Sequence, residues 1–374
     1  MSEYQYYEFQ AIDRPLGAMD QQALRALSSR ARITATSFTN SYEWGDLKGD
    51  PRQMMGRWFD LHLYLANWGS RRLMLRLPKR LVDRGRLDAL LWQVEYAELI
   101  EAGDNVILDI QRDEVESEGW DDGAGWLAAL APLRDDLLRG DLRMLHLLWL
   151  TGVEAEAVPE DAPEPVAGIG PMTGALQAFA EFFGIDPDLV EAAAERSGAP
   201  IAIEPDVARR RIAAMPEGDK TALLMRLVEG DPHVGAELRA ALRQSAAAPG
   251  ETPSAARTAG ELRARAAAIR LAREQAEAER LAAERQRQAE AAEQERRARL
   301  EALIRKGDRV WTEVEAEIER RNAGGYDRAT SLLSDLRSVA EARGTLPDFA
   351  RRLTALRDRH ARKERFIERL MAVG

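Results

Sequence analysis

The chain has 374 residues and a formal net charge of −10, from 53 Lys and Arg against 63 Asp and Glu, with four histidines and no cysteine. The lack of cysteine removes disulfides, thiol nucleophiles, iron–sulfur clusters and cysteine-based zinc sites. Residues 1–165 hold 29 acids and 18 bases, and the remainder is close to neutral, a distribution that does not suit a general polyanion binder.

In chain order, the aromatic run at 4–13 reads as a strand, and 19–29 as a short helix with Asp20 as N-cap. Ile33 to Phe38 alternates as a second strand, and 40–50 reads as a loop. Asp50-Pro51 opens a helix that buries Met54, Met55 and Trp58. Leu61, Leu63 and Leu65, then Leu73, Leu75 and Leu77, alternate on either side of Asn67-Trp68-Gly69-Ser70, the pattern of a β-hairpin, with a single longer helix through 66 as the alternative. Residues 79–91 form a helix strained at Gly85, and 94–100 with 106–110 form a second hairpin. An acidic loop, 113–125, precedes a helical stretch from 126 to 150. The expected fold class is an α+β N-terminal domain with a mixed sheet, followed by all-α segments including a long charged helix and a C-terminal helical cap.

The expected boundaries are an α+β domain at 1–152, an acidic, proline-rich linker at 153–170 and a small all-α domain at 171–245. A flexible hinge at 246–258, a long helix at 259–321 and a helical cap at 322–374 complete the chain. The long helix consists almost wholly of Ala, Glu, Arg, Gln and Leu, the strongest helix formers. Between Arg273 and Arg299 its only large apolar residue is Leu281, against seven acids and seven bases. That pattern favours a solvated spacer held by side-chain pairs over an alanine-rich coiled coil or a helix packed back on the body. In the cap, 326–343 is amphipathic, and a last helix opening at Pro347 carries Phe349, Leu353, Leu356, Ile367 and Leu370 on one face. With Trp311, Val314 and Ile318 these close a three-helix bundle.

Within this cap, YDRATSLLSDLRSVAEARGTLPDFARRLTALRDRHARKERFIERL resembles the tetratricopeptide-like C-terminal segment of bacterial SWIM zinc-finger proteins. The zinc finger itself has no counterpart, because its cysteines are missing, so no metal site or DNA contact carries over. The resemblance implies a bacterial interaction module. The first 160 residues look similar to an uncharacterised bacterial family, which brings no activity with it.

Little here reads as catalytic. His62, His146, His233 and His360 are scattered, with no metal-ligand spacing; His62 and His360 read as packed core histidines. The run Asp113, Glu114, Glu116, Glu118, Asp121, Asp122 lacks the order of a calcium loop and reads as solvated. Gly168 to Gly174 lacks the Lys-Ser/Thr ending of a phosphate loop. The densest charge cluster is Arg71, Arg72, Arg76, Lys79, Arg80, Arg84 and Arg86, opposed locally only by Asp83. It would contact phosphate, or form salt bridges within the chain or to a partner, the acidic 113–122 loop included; the salt bridges are favoured. The last helix carries a second basic face, from Arg351 to Arg369, read as solvated.

The expectation is therefore a non-enzymatic adaptor without a cofactor or metal, which binds other proteins through its N-terminal domain and its helical cap. Its alternative is an accessory subunit of a nucleic-acid-processing or defence system that touches phosphate through residues 71–86. No run approaches the eighteen apolar residues of a membrane span, and the N-terminus lacks a secretory signal, so a cytoplasmic location is expected. The oligomeric state is left open.

Overall fold

The computed structural model describes residues 3–116, 119–198, 204–244 and 256–371. The elements begin with β1 (Gln5–Gln10), α1 (Ala18–Leu27), β2 (Arg32–Ile33), β3 (Ser37–Tyr42), α2 (Pro51–Arg57), β4 (Leu61–Ala66) and β5 (Arg71–Pro78). A 3-10 turn (Lys79–Leu81), α3 (Arg84–Leu91), β6 (Ala97–Ala102) and β7 (Asn105–Arg112) follow. The strands form one sheet in the order β2-β3-β1-β4-β5-β7-β6. Every pairing in it is antiparallel, so the α+β class holds but the sheet is not mixed. The hairpins β2-β3, β4-β5 and β6-β7 fix half of these pairings, since consecutive strands joined by tight turns must run in opposite directions.

The leucines do as their spacing dictates. Leu63 stands opposite Leu73, and Leu61 opposite Leu75. Side chains of period two reach opposite faces of a sheet. One face therefore gathers these leucines with Val106, Leu108 and Ile110, and the other gathers Phe9, Phe38, Met74 and Ile107. The second face is covered by α1 and α2, through Leu24, Met54 and Met55.

The first face is covered by a larger set: α4 (Trp126–Leu130), α5 (Pro132–Leu138), α6 (Arg143–Glu154), α7 (Gly174–Phe182) and α8 (Pro187–Ala194), together with α3. In α6 every residue from Arg143 to Val153 is buried. A helix that is apolar nearly all round belongs inside a core. Three further helices, α9 (Pro205–Ala214), α10 (Glu217–Val228) and α11 (Val234–Gln244), follow. Neither α9 nor α10 buries a side chain fully.

Local expectations need correcting at several points. The stretch 33–38 is not one strand: Ile33 ends β2, 34–36 turn the chain, and Ser37 and Phe38 begin β3. Asp20 is not the N-cap of α1 but its third residue; its carboxylate accepts from Gly17 N at 3.1 Å, the capping position. Residues 79–91 split into the 3-10 turn and α3, because Asp83 caps a fresh helix by accepting from Arg86 N at 3.1 Å. Residues 126–150 form three helices, interrupted at Pro132 and at Gly140, whose φ is 81°.

The expected linker at 153–170 is packed instead. Val158 and Ile169 are buried. Glu164, also buried, pairs with Arg196 and Arg257, each at 3.2 Å. Its proline-rich composition reads as solvated only until two guanidinium groups close on that carboxylate. The boundary expected at 171 likewise falls inside one core, since α7 and α8 share it with the sheet. Most of the expected hinge, 246–255, lies outside the described residues.

The long helix, α12 (Ala259–Lys306), opens with a capping box: Thr258 N donates to Glu261 at 2.9 Å, and Glu261 N donates to Thr258 Oγ1 at 3.2 Å. Its first turns are not solvated. Ala259, Leu262, Ala266 and Ile269 lie in the same core as the sheet. Leu262→Ala is expected to destabilise that core by about 2–5 kcal/mol. Leu281→Ala, at a 41 % exposed position, should change stability by less than about 0.5 kcal/mol. Urea denaturation of the full chain reads both; equal small effects would mean that the helix start is not held in the core.

Nor does the helix run to 321. Gly307 adopts φ 56°, a left-handed conformation that ends an α-helix and that glycine takes without penalty. A new helix, α13 (Arg309–Glu319), begins there.

The contacts divide the chain into two compact units, Met1–Arg273 and Glu274–Gly374. In the second, α13, α14 (Ala323–Arg343), α15 (Leu346–Arg359) and α16 (Glu364–Leu370) enclose a core of Val314, Ile318, Tyr326, Leu333, Phe349 and Phe366 among others. The expected last helix is thus two, with His360 as the C-cap of α15. Its ring is buried beside Phe366, as its place on the apolar seam required.

Candidate functional site

The basic cluster at 71–86 is brought together by β5 and α3, but its charge is spent inside the chain. Arg72 grips Asp109 with two hydrogen bonds, of 2.8 and 2.7 Å. Arg76 grips Asp60 in the same way, at 3.0 and 2.7 Å. Lys79 and Arg84 both pair with Glu101 on β6. Arg80 reaches Asp231 at 3.0 Å and Glu237 at 3.5 Å. Among the described residues, Arg86 alone of the seven has no carboxylate partner. Among the described residues, the acidic 113–122 loop meets this cluster at Arg71, whose Nη2 lies 3.9 Å from Asp121.

Asp60 and Asp109 organise this charge. Asp60 is fully buried; besides Arg76 it accepts from Ile12 N at 2.6 Å and Asp13 N at 2.9 Å. Arg134, itself 2 % exposed, lies 3.6 Å from Asp60 and makes two bonds to Asp13, at 2.9 and 2.6 Å. His233 Nε2 lies 2.9 Å from the same Asp13 carboxylate. Burial by itself would raise the Asp13 pKa, but hydrogen bonds from His233 and Arg134 hold it well below the ordinary carboxylate range. These bonds tie the segment after β1, β5, α5 and the start of α11 together.

The other histidines are core residues. His62 is fully buried and stacks on Phe9 at 3.9 Å, with Nδ1 3.0 Å from the Glu8 carbonyl. His146 is fully buried in α6. Burial pushes each down to about 3. Among the described residues no group of three or more His, Cys, Asp or Glu is placed to hold a metal ion.

An open site occurs instead at the end of the sheet where β4 turns into β5. There Val115 N donates to Gly69 O at 3.0 Å, and Ser70 Oγ donates to Asp113 at 2.5 Å, which pins the start of the acidic loop. Farther along, Asp121 accepts from Gly123 N and from Trp126 Nε1, both at 2.9 Å. Gly123 takes φ 80°, and a Cβ there would sit 2.5 Å from the Tyr6 ring, so only glycine lets the loop lie this close to β1. Trp120 leans on Tyr4, ring centres 4.9 Å apart. On the far side Arg112 holds the end of α7 through the Phe183 carbonyl at 2.8 Å. Between these parts lies a cleft of about 700 Å³ with Arg71 in its wall, Trp120, Trp126 and Phe182 beside it, and Glu116, Asp122 and Glu181 on it.

Sequence reasoning took the 113–125 loop as solvated and missed this cleft. Arg71, Trp126 and Phe182 lie on three separate elements, and no spacing links them. The one signal was the pair of tryptophans, Trp120 and Trp126, bracketing an acidic run.

The chain matches no protein-family model, no curated protein and no solved structure. The likeness of its tail to SWIM zinc-finger proteins rests on the residue pattern alone.

Proposed function

We propose that the protein is a non-enzymatic scaffold or adaptor in a bacterial multiprotein assembly, with α12 as the spacer between two binding modules. One observation carries this reading: from Arg270 to Arg299 every residue of α12 is exposed. Leu271 and Leu281 stand alone on it, 55 % and 41 % exposed, and the stretch has no apolar stripe. Pairs such as Arg297 with Glu293, 3.0 Å apart, support it from within, each contributing about 0.2–0.5 kcal/mol. A helix that is polar all round serves to bridge.

The same composition disfavours a coiled-coil seam, which needs apolar residues at a and d through several heptads. Sedimentation equilibrium is expected to return a monomer of 41.7 kDa. A dimer that dissociates on Leu281→Glu would reassign the helix as a coiled coil. For the adaptor itself, affinity capture with the full chain should be compared with Glu181→Lys in the first unit and Arg343→Glu in the second. Each variant is expected to lose a different set of proteins. Identical captures from both, or none from the parent chain, would count against two modules. Phosphate contact through residues 71–86 gains little support, because Arg72, Arg76, Lys79, Arg80 and Arg84 already hold carboxylates.

A further inference from the structure

We propose that the cleft beside Arg71 binds a zwitterion, taking its carboxylate on the Arg71 guanidinium and its ammonium or guanidinium group on the acidic rim. Arg71 is only 5 % exposed, yet its hydrogen bonds are incomplete. Nη1 donates to the Ala66 and Ser70 carbonyls, at 2.9 and 3.4 Å. Among the described residues neither Nε nor Nη2 has a hydrogen-bond acceptor. The nearest carboxylate among the described residues, Asp121, is 3.9 Å from Nη2, beyond hydrogen-bond reach, and it is held in place by donors at Gly123 N and Trp126 Nε1. The Nε–Nη2 edge is one that a carboxylate can grip with two parallel bonds. Burial lowers the pKa of this group and Asp121 only partly opposes it, as expected of a cation short of a counter-charge.

A simple anion does not fit, because Glu116, Asp122 and Glu181 share the cleft and outnumber its one guanidinium. Among the described residues Glu116 and Glu181 have no ion-pair partner. A ligand that carries a cation as well as a carboxylate satisfies both ends. Trp120, 69 % exposed, and Trp126 offer ring faces to the same cation or to the chain that joins the two charges. The volume is within the range of small-molecule sites.

This chemistry has two sources: a free basic amino acid, or the C-terminal end of a protein chain with a basic last residue. The proposal does not depend on the adaptor reading. That reading stands or falls by capture; this one is read by titration. Isothermal titration of the full chain with L-lysine, and with acetyl-Gly-Gly-Lys bearing a free carboxyl, is expected to show saturable binding of at least one. Binding of the free amino acid alone names a metabolite as the source, and binding of the peptide alone names a chain terminus. The C-terminal amide of the bound probe tests Arg71 without altering the protein, and should bind at least about tenfold more weakly, a change equivalent to 1.4 kcal/mol. Nε-acetylation of the lysine should weaken it similarly, as should Trp120→Ala and the double variant Glu116→Gln, Glu181→Gln, all at exposed positions and checked for native circular dichroism. No binding of either probe at millimolar concentration overturns the proposal. So does an amide that binds as well as the acid, or inorganic phosphate that binds as tightly as lysine.

Discussion

Replacing Asp60 with alanine is expected to destabilise the first unit by about 3–5 kcal/mol, the cost of breaking a buried ion pair from one side. Asp60 is wholly inaccessible, and its two oxygens serve Arg76, Arg134 and the backbone N–H groups of Ile12 and Asp13. Its removal leaves two guanidinium groups short of charge, one of them Arg134 at 2 % exposure, and two amides without acceptors. Asp60→Asn should fall between, because an amide accepts at one atom only. Arg139→Ala serves as control: its pairs with Asp135 and Asp136 are exposed, and exposed pairs contribute about 0–1 kcal/mol. Urea denaturation followed by tryptophan fluorescence gives the three values. A loss below about 1 kcal/mol for Asp60→Ala would mean that the network is not held as described.

Acid should destabilise the same unit well before its carboxylates titrate. Burial lowers His62 and His146 to about 3, from an unfolded value near 6.5. Arg72 lowers His62 further, and Arg257 does the same for His146. Both rings are neutral in the folded chain, while the unfolded chain takes up a proton at each below pH 6.5. The unfolded state then binds more protons, so stability falls as pH falls, from about 6.5 down to about 3. At pH 5 the gap is about 1.5 units per ring, or about 2 kcal/mol each. Asp13 acts in the same direction, but its depressed pKa matters only below the unfolded carboxylate value near 4. The urea midpoint is expected to drop between pH 7.5 and pH 5. The double variant His62→Leu, His146→Leu should flatten that drop. If the variant kept the full slope, the titrating groups would lie elsewhere.

What could be read from the residues and what could not divide along a physical line. Alternation of Leu61 through Leu77 around Asn67-Trp68-Gly69-Ser70 was enough for the central hairpin, because period two and turn chemistry are local. Asp50-Pro51 was enough for the start of α2, where Asp50 accepts from Arg52 N at 2.8 Å. The charge balance of 273–299 was enough for an exposed helix, since its one large apolar side chain, Leu281, cannot hold a core by itself. The basic cluster was visible as a cluster, and five of its members pair with carboxylates of the same chain.

Three things were settled only in three dimensions. The partners of that cluster are Asp60, Asp109, Glu101, Asp231 and Glu237, set by strand order and by the packing of α11, neither of which leaves a trace in spacing. Residues 153–170 looked like a solvated linker, yet buried Glu164 binds Arg257 from far along the chain. The start of α12 joined the sheet's core through Leu262 and Ile269, which by themselves do not say what covers them. Period and composition report what one element needs; which distant element meets that need is decided by the burial that the whole chain achieves at once.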